Sequence, residues 1–474
     1  MNRLDVRDAV PGARPEEAHP RATLSIASLG TFVALVAYTG PLGNLPTVAH
    51  ALGAGPTGQT WILSSISVAL AASLLTVGTL ADRHGRRRAF VLGCLVLALG
   101  SVLCAAAQGT PAFIVGRLVQ GVGSAAVIAA SLGLIGSVFT TPDQRARASA
   151  AWGASVGAGI AIGPVATGLL DLADAWRWMY VVLAAGTLLL AGAGRGRLPE
   201  SRSPAPRPLD IPGAVTLSGA IVLALVALVE GRHGVDPVVA VVTAGAGLLA
   251  AVFVVVERRA EHPVLELAFF RQAPFTAATL AALATGVSVI GLMSYACTFL
   301  VGTMETTTLG AAAVLFAWSG TSAVSASLAR RLPPALAGSR QLVVGLLGVS
   351  VGELALLGAS PGSIERLIPG LVLAGVASGV LNAGLGRQAV ATVPADRASF
   401  GSGANNTARY LGSAVGVTIV VVIATSPGAS ADARVAGWDH AVLASAIMAA
   451  VSAVAVLVLH GRGVRPAGAG GVER

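Results

Sequence analysis

The sequence predicts an all-α polytopic membrane protein: two six-helix bundles and a two-helix insert, fourteen transmembrane helices in all. Three observations predict it. The 474 residues are 54% hydrophobic and 11% charged, with a mean hydropathy of +0.78, whereas a typical soluble domain is about 25% charged. Apolar stretches recur along the whole chain, each long enough to cross a ~30 Å hydrocarbon core as a helix. The basic residues fall almost entirely between those stretches, on alternate loops. A soluble enzyme or a disordered scaffold does not fit this composition. An outer-membrane barrel does not either, because its strands read as alternating segments of about ten residues.

The first six spans run approximately over Leu24–Gly43, Gln59–Leu80, Ala89–Ala107, Ala112–Phe139, Ala148–Leu170 and Met179–Gly194. Between the second and third lies Gly78-Thr79-Leu80-Ala81-Asp82-Arg83-His84-Gly85-Arg86-Arg87-Arg88. Glycines there permit a tight turn, and Asp82 among guanidiniums is able to cap a neighbouring helix N-terminus in one conformation and release it in another. A solvated basic loop that only sets topology is the alternative. Arg117, followed by Gln120 and Gly121, sits inside the fourth span. A guanidinium at that depth costs at least ~2.5–3.5 kcal/mol, so it should face a cavity or a partner. The fifth span carries Gly153, Gly157, Gly159, Gly163-Pro164 and Gly168. Small residues four apart allow close helix packing and the proline kinks the helix, so packing rather than substrate contact is the expected role.

Two further spans, about Ile211–Val229 and Pro237–Val256, form the insert. The last six run near Phe275–Val301, Gly310–Ser327, Gln341–Gly358, Leu367–Gly386, Gly401–Thr425 and His440–Leu459. The implied organisation is a cytoplasmic tail over 1–21, a first bundle over 22–194, the linker and insert over 195–272, a second bundle over 273–460 and a second cytoplasmic tail over 461–474. Residues 1–21 mix acids with arginines and make a poor signal-peptide n-region.

The basic residues test the count. All 31 are arginine. With the N-terminus inside, cytoplasmic segments hold 25 of them, outside loops hold Arg177, Arg232, Arg366 and Arg434, and Arg117 and Arg409 fall within spans. Misplacing one span would invert every later loop and spoil this asymmetry. The net charge of +9 therefore reads as topology and contact with anionic lipid, not nucleic-acid binding. Without lysine there is no Walker A loop to bind ATP and no Schiff-base cofactor chemistry. Cys94, Cys104 and Cys297 lie in apolar spans and the seven histidines are scattered, so no disulfide, metal or cofactor is expected. A faint repeat is visible too: Thr79-Leu80-Ala81-Asp82-Arg83 closes the second span and Ser327-Leu328-Ala329-Arg330-Arg331 the tenth. Setting the insert aside leaves six plus six, the parallel-repeat arrangement of one transporter class.

Taken in order, these motifs resemble the major facilitator superfamily, and within it the fourteen-span drug:proton antiporter family. The resemblance rests on the loop Gly78–Arg88, Arg117 through Gly121, Gly159…Gly163-Pro164…Gly168, and Trp176-Arg177-Trp178-Met179-Tyr180 at the start of span six. Asp210-Ile211-Pro212-Gly213-Ala214, Glu257-Arg258-Arg259 with Phe269-Phe270-Arg271, and Gly401-Ser402-Gly403-Ala404-Asn405-Asn406-Thr407-Ala408-Arg409 extend it from about Leu24 to the last span. It implies a major facilitator fold and secondary export of a small amphipathic organic compound, a drug or antibiotic, across a bacterial cytoplasmic membrane. Protons would be exchanged, with Gly78, Asp82, Arg83, Gly85 and Arg86 as a gating loop. The family usually carries an aspartate in span one, where this chain has Ala37; a proton-independent facilitator or an uptake transporter is therefore the rival. Span six also lacks the usual Asn-x-Pro.

Glu353 is the acidic residue that the sequence places well inside a span. Ionisable groups there are functional candidates by default, and with Arg117 and Arg409 it forms the expected proton-coupling set. Other polar groups at membrane depth, Tyr38, Asn44, Gln120, Tyr295, Asn382, Asn405 and Asn406, either line an aqueous path or bridge helices. No HExxH motif, paired carboxylates or Ser/His/Asp set supports an enzyme. A non-transporting receptor or scaffold is the reading from another class.

Overall fold

The computed structural model describes residues 20–463 apart from 204–209, 232, 233, 235, 262, 264, 266, 395, 396 and 429. Most of the two expected tails, and Arg232, lie outside the described residues. Fourteen long helices follow one another: α1 (Pro20–Thr39), α2 (Pro56–His84), α3 (Arg86–Ala106), α4 (Thr110–Val138), α5 (Pro142–Asp171), α6 (Trp176–Arg197) and α7 (Ile211–Glu230). Then come α8 (Pro237–Arg259), α9 (Ala273–Gly302), α10 (Thr308–Leu328), α11 (Ser339–Leu354), α12 (Leu367–Ala391), α13 (Ala398–Thr425) and α14 (Ala431–Gly463). No strand occurs among the described residues. A two-turn helix, Leu45–Leu52, follows α1, and a π-helical turn, Gly286–Ile290, interrupts α9.

Local chemistry sets the ends. Proline stands in the first turn of α2, α4, α5, α7, α8 and α9, where its missing N–H costs nothing. Asp210 caps α7 by accepting from Gly213 N–H (2.9 Å), Asp236 caps α8 from Val239 N–H (2.8 Å), and Thr307 caps α10 from Gly310 N–H (3.0 Å). Gly85 makes the one-residue break between α2 and α3 at φ +118°, a conformation costly for any other residue.

Thirteen of these helices are long and apolar enough to cross a membrane. The eleventh expected span is corrected. Instead of running over Gln341–Gly358 it is the 16-residue α11, about 24 Å long. After Glu353 the chain tightens into turns, Leu356 N–H bonding Glu353 O at 2.8 Å, and Gly358 turns left-handed at φ +70°.

The two halves repeat one packing scheme. In the first, α1 packs on α4, α5 and α6, α2 on α4, and α3 on α4 and α6. In the second, α9 packs on α12, α13 and α14, α10 on α12, and α11 on α12 and α14. Adding eight to each helix number converts one set into the other. The same operation exchanges the seams between halves, α2 on α13 with α5 on α10, and α4 on α13 with α5 on α12. The close contacts repeat as well: Gly159 and Gly163 of α5 press on α1, and Gly412 and Gly416 of α13 press on α9. The insert is an α7–α8 pair whose α7 also lies against α2 and α13. α8 is the most outward helix, with 17% of its apolar window buried against 83% for α4, as expected for a lipid-facing and a bundle-centre helix.

Candidate functional site

A cavity of about 90 Å³ lies where the halves meet. Its walls come from α1 and α5 of the first half and from α9, α10, α12 and α13 of the second. Leu35, Tyr38, Ile160, Val289, Met293 and Trp318 supply apolar and aromatic surface; Ser319, Ser322, Ser378, Asn382 and Arg409 supply the polar points. Mostly apolar walls with a few polar groups are the usual make-up of a small-molecule site. A second cavity, about 340 Å³, lies between α2 and the α9–α13 pair, and Val229 of α7 also lines it. Tyr38, Leu42 and Ser294 line both, so this trio forms the partition. Tyr38 is held there by its hydroxyl, 3.2 Å from Ser413 Oγ and accepting from Ser67 Oγ at 3.3 Å, and by an edge contact with Tyr410 at 5.5 Å.

Arg117 is wholly buried on α4, outside either cavity. Its Nη1 donates to Ala37 O (2.5 Å) and Gln120 Oε1 (3.0 Å), its Nη2 to Tyr38 O (3.1 Å) and its Nε to Ile62 O (3.3 Å). Gln120 Nε2 continues the network to Ser101 Oγ (2.9 Å). The arrangement has a local cause. Ala37 O would ordinarily accept from the residue four on, but that residue is Pro41, which has no N–H. The orphaned carbonyl takes a guanidinium instead. Arg117 and Gln120 therefore tie α1, α2, α3 and α4 together, and Ala37 offers Arg117 a carbonyl rather than a carboxylate.

Arg409, on α13, differs. It is 4% exposed, lines the central cavity, and makes no hydrogen bond or ion pair among the described residues; its Nε is buried without a partner. Asn382, also on the wall, has an equally unpartnered amide oxygen.

The other polar candidates divide. Tyr295 lines the second cavity. Asn405 Nδ2 donates to Ala278 O (3.1 Å), bridging α13 to α9, and Asn406 Nδ2 to Ser402 O (3.0 Å) on its own helix. Asn44 is buried at the start of the two-turn helix with both side-chain polar atoms unpartnered. Gln120, Asn44, Asn405 and Asn406 thus lie off the cavity walls. In α5, a Cβ at Gly159 would meet Leu35 Cβ and Phe32 O at 2.7 Å, while Thr167 Oγ1 donates to Gly40 O (2.7 Å) beside Gly163 and Pro164. Gly168 lies against Leu309. Trp318 donates to Ser378 Oγ (3.1 Å) on the cavity wall; Trp152 donates to Thr31 Oγ1 (3.0 Å) and Trp61 to Glu230 Oε1 (2.6 Å), both as ties between helices. Ser319, Ser322, Ser378 and Tyr410 were not singled out from sequence. Spacings of three and four, as in Ser319/Ser322 and Ser378/Asn382, are the signal that would have found them.

At the arginine-rich end the halves are clasped. Asp82 accepts from Ser399 N–H (3.2 Å) and Phe400 N–H (2.9 Å), the first turn of α13, and pairs with Arg86 Nη2 at 2.8 Å. Gly78 permits the approach: a Cβ there would lie 2.6 Å from Ser399 O. Ser203 N–H donates to Asp82 O (2.7 Å), and Glu200 sits 3.6 Å from Arg87 and Arg88 beside Gly85. Arg83 is half-buried.

Glu353 is the next-to-last residue of α11. It is fully buried, away from both cavities and near Ser445 of α14, and both of its carboxylate oxygens lack a hydrogen-bond partner among the described residues. Ser445 Oγ in turn donates to Ser288 O (3.1 Å) in the π-helical turn of α9, whose next residues, Val289 and Ile290, face the central cavity.

Comparison with known proteins places this geometry. A family model for the Major Facilitator Superfamily matches residues 27–417. The chain is 31% identical over 448 residues to the puromycin resistance protein pur8 of Streptomyces alboniger, covering 90% of this chain and 88% of that one. It is 29% identical over 411 residues to the multidrug efflux pump LfrA of Mycolicibacterium smegmatis, covering 86% and 81%. Among solved structures, the human organic anion transporter MFSD10 superposes with a TM-score of 0.69 at 19% identity, covering 93% of this chain and all of that one. The proton:xylose symporter XylE does so with a TM-score of 0.68 at 14% identity, covering 94% and 96%.

Proposed function

Because the chain belongs to the Major Facilitator Superfamily, and is a multi-pass membrane transporter rather than an enzyme, we propose that it exports a small amphipathic organic compound by alternating access, in exchange for protons. The membrane is the bacterial cytoplasmic membrane, with both termini and the arginine-rich end inside. The observation that carries the proposal is the central cavity between two halves built on one repeat, shut at the arginine-rich end by the Asp82 clasp. Opening that end requires Asp82 to leave the α13 N-terminus while the seams α2–α13 and α5–α10 exchange tightness around the cavity. Relatives that confer puromycin resistance or pump out drugs support export and the amphipathic cargo.

Glu353 is the proposed proton carrier. It lies off the cavity, so its effect on the cargo passes through Ser445 and the π-helical turn of α9, an element able to shift its register. Each proton moving inward contributes about 2.3 kcal/mol per 100 mV. A second reading, proton-independent facilitation, is favoured by Ala37, whose carbonyl and not a carboxylate faces Arg117.

Accumulation of a fluorescent dye in energised everted vesicles tests both. We expect accumulation that collapses with a protonophore and that Glu353→Gln reduces at least about tenfold at unchanged protein level. Accumulation that survives the protonophore selects the facilitator, and an unaltered Glu353→Gln variant removes Glu353 from the mechanism.

A further inference from the structure

We propose that the central cavity is an organic-anion site, in which Arg409 pairs with a carboxylate, sulfonate or phosphate on an otherwise apolar, ring-bearing compound. The inference rests on the reading of that cavity as the cargo site and names the class of cargo.

The argument begins with what Arg409 lacks. A guanidinium carries five N–H donors and stays charged. Burying one without partners is among the costliest arrangements a protein can hold. Arg409 is 4% exposed on α13 with no hydrogen bond or ion pair among the described residues, and it lines the cavity. Neither this cavity nor the one beside it has an aspartate or glutamate among its lining residues. Ala37 and the Arg117 network add no carboxylate nearby; that second cation is held by carbonyls and an amide alone. The interior field at the cavity is therefore positive, and the low surrounding dielectric weakens it little.

The remaining wall says which anion. Trp318 has its indole N–H occupied by Ser378 Oγ (3.1 Å), leaving it to offer ring surface. Leu35, Ile160 and Met293 add apolar area, and Asn382, without a partner for its amide oxygen, supplies a second polar point. A small hydrated inorganic anion would leave most of this wall unsatisfied. An amphipath with one anionic group and a ring system matches it, and a cation is opposed by the unneutralised guanidinium.

Two xanthene dyes of one ring system and opposite charge test this: anionic fluorescein and cationic rhodamine 6G, titrated by fluorescence anisotropy against the purified full-length protein. No flux is needed, so failure of the export reading leaves the result interpretable. Fluorescein should bind saturably and at least about tenfold more tightly than rhodamine 6G, as expected for charge-assisted hydrogen bonds. Arg409→Lys should keep most of that preference and Arg409→Gln abolish it. Equal or tighter rhodamine 6G binding, no saturable fluorescein binding, or an Arg409→Gln variant with its preference intact would each overturn the proposal. The native comparison stands even if that variant fails to fold.

Discussion

Arg117 and Arg409 are both buried, one on α4 and one on α13, and they do opposite things. Arg117 is surrounded by acceptors, the carbonyls of Ala37, Tyr38 and Ile62 and the amide of Gln120. Arg409 has none among the described residues and faces a cavity. The residue type and the burial are the same; the accounting of donors differs. A saturated guanidinium is a strut whose loss orphans the groups it satisfied, whereas an unsaturated one is held ready for something that arrives from outside.

The comparison breaks most visibly in stability. Arg117→Gln leaves the carbonyls of Ala37 and Tyr38, at the end of α1, without this donor, at about 1–3 kcal/mol each, and should lower the Tm of the purified protein by about 5–10 °C. Arg409→Gln removes no protein partner, so its Tm should stay within about 2 °C of native or rise. Equal losses in the two variants, measured side by side by thermal shift, would erase the distinction between strut and binding group.

A smaller effect sharpens the account at the clasp. Asp82→Asn removes a charge from the α13 N-terminus and the ion pair with Arg86. Such a contact is worth roughly 1 kcal/mol, so the population opened at the arginine-rich end should rise about fivefold. Spin labels at Arg147 on α5 and Arg330 after α10, both exposed, should then show more long distances. An unchanged distribution would mean that the seams, and not Asp82, hold that end shut.

Much of the fold was legible in the sequence because it follows from solvent. Hydropathy marks the spans, and the six-plus-six repeat reappears as matching helix pairs. The length of α11 was not legible, since its end depends on the turn at Gly358 and not on a change of hydropathy. The site was harder. Sequence marks a polar residue as being at depth but not the direction it faces, so Asn405 and Asn406, which bond to α9 and to their own helix, looked the same as Asn382, which faces the cavity. The fate of Arg117 had a signal that was missed: Pro41, four residues after Ala37, announces a carbonyl in need of a donor. Nothing comparable marks Arg409, because its property is the absence of partners, which only the packed structure displays.

The most direct test of the account is fluorescein accumulation in energised everted vesicles containing the native protein or Arg409→Gln at matched amounts. The account predicts accumulation by the native protein and a loss of at least about tenfold in the variant. Equal accumulation by both would show that Arg409 does not recognise cargo and that the cavity it faces is not where selectivity resides.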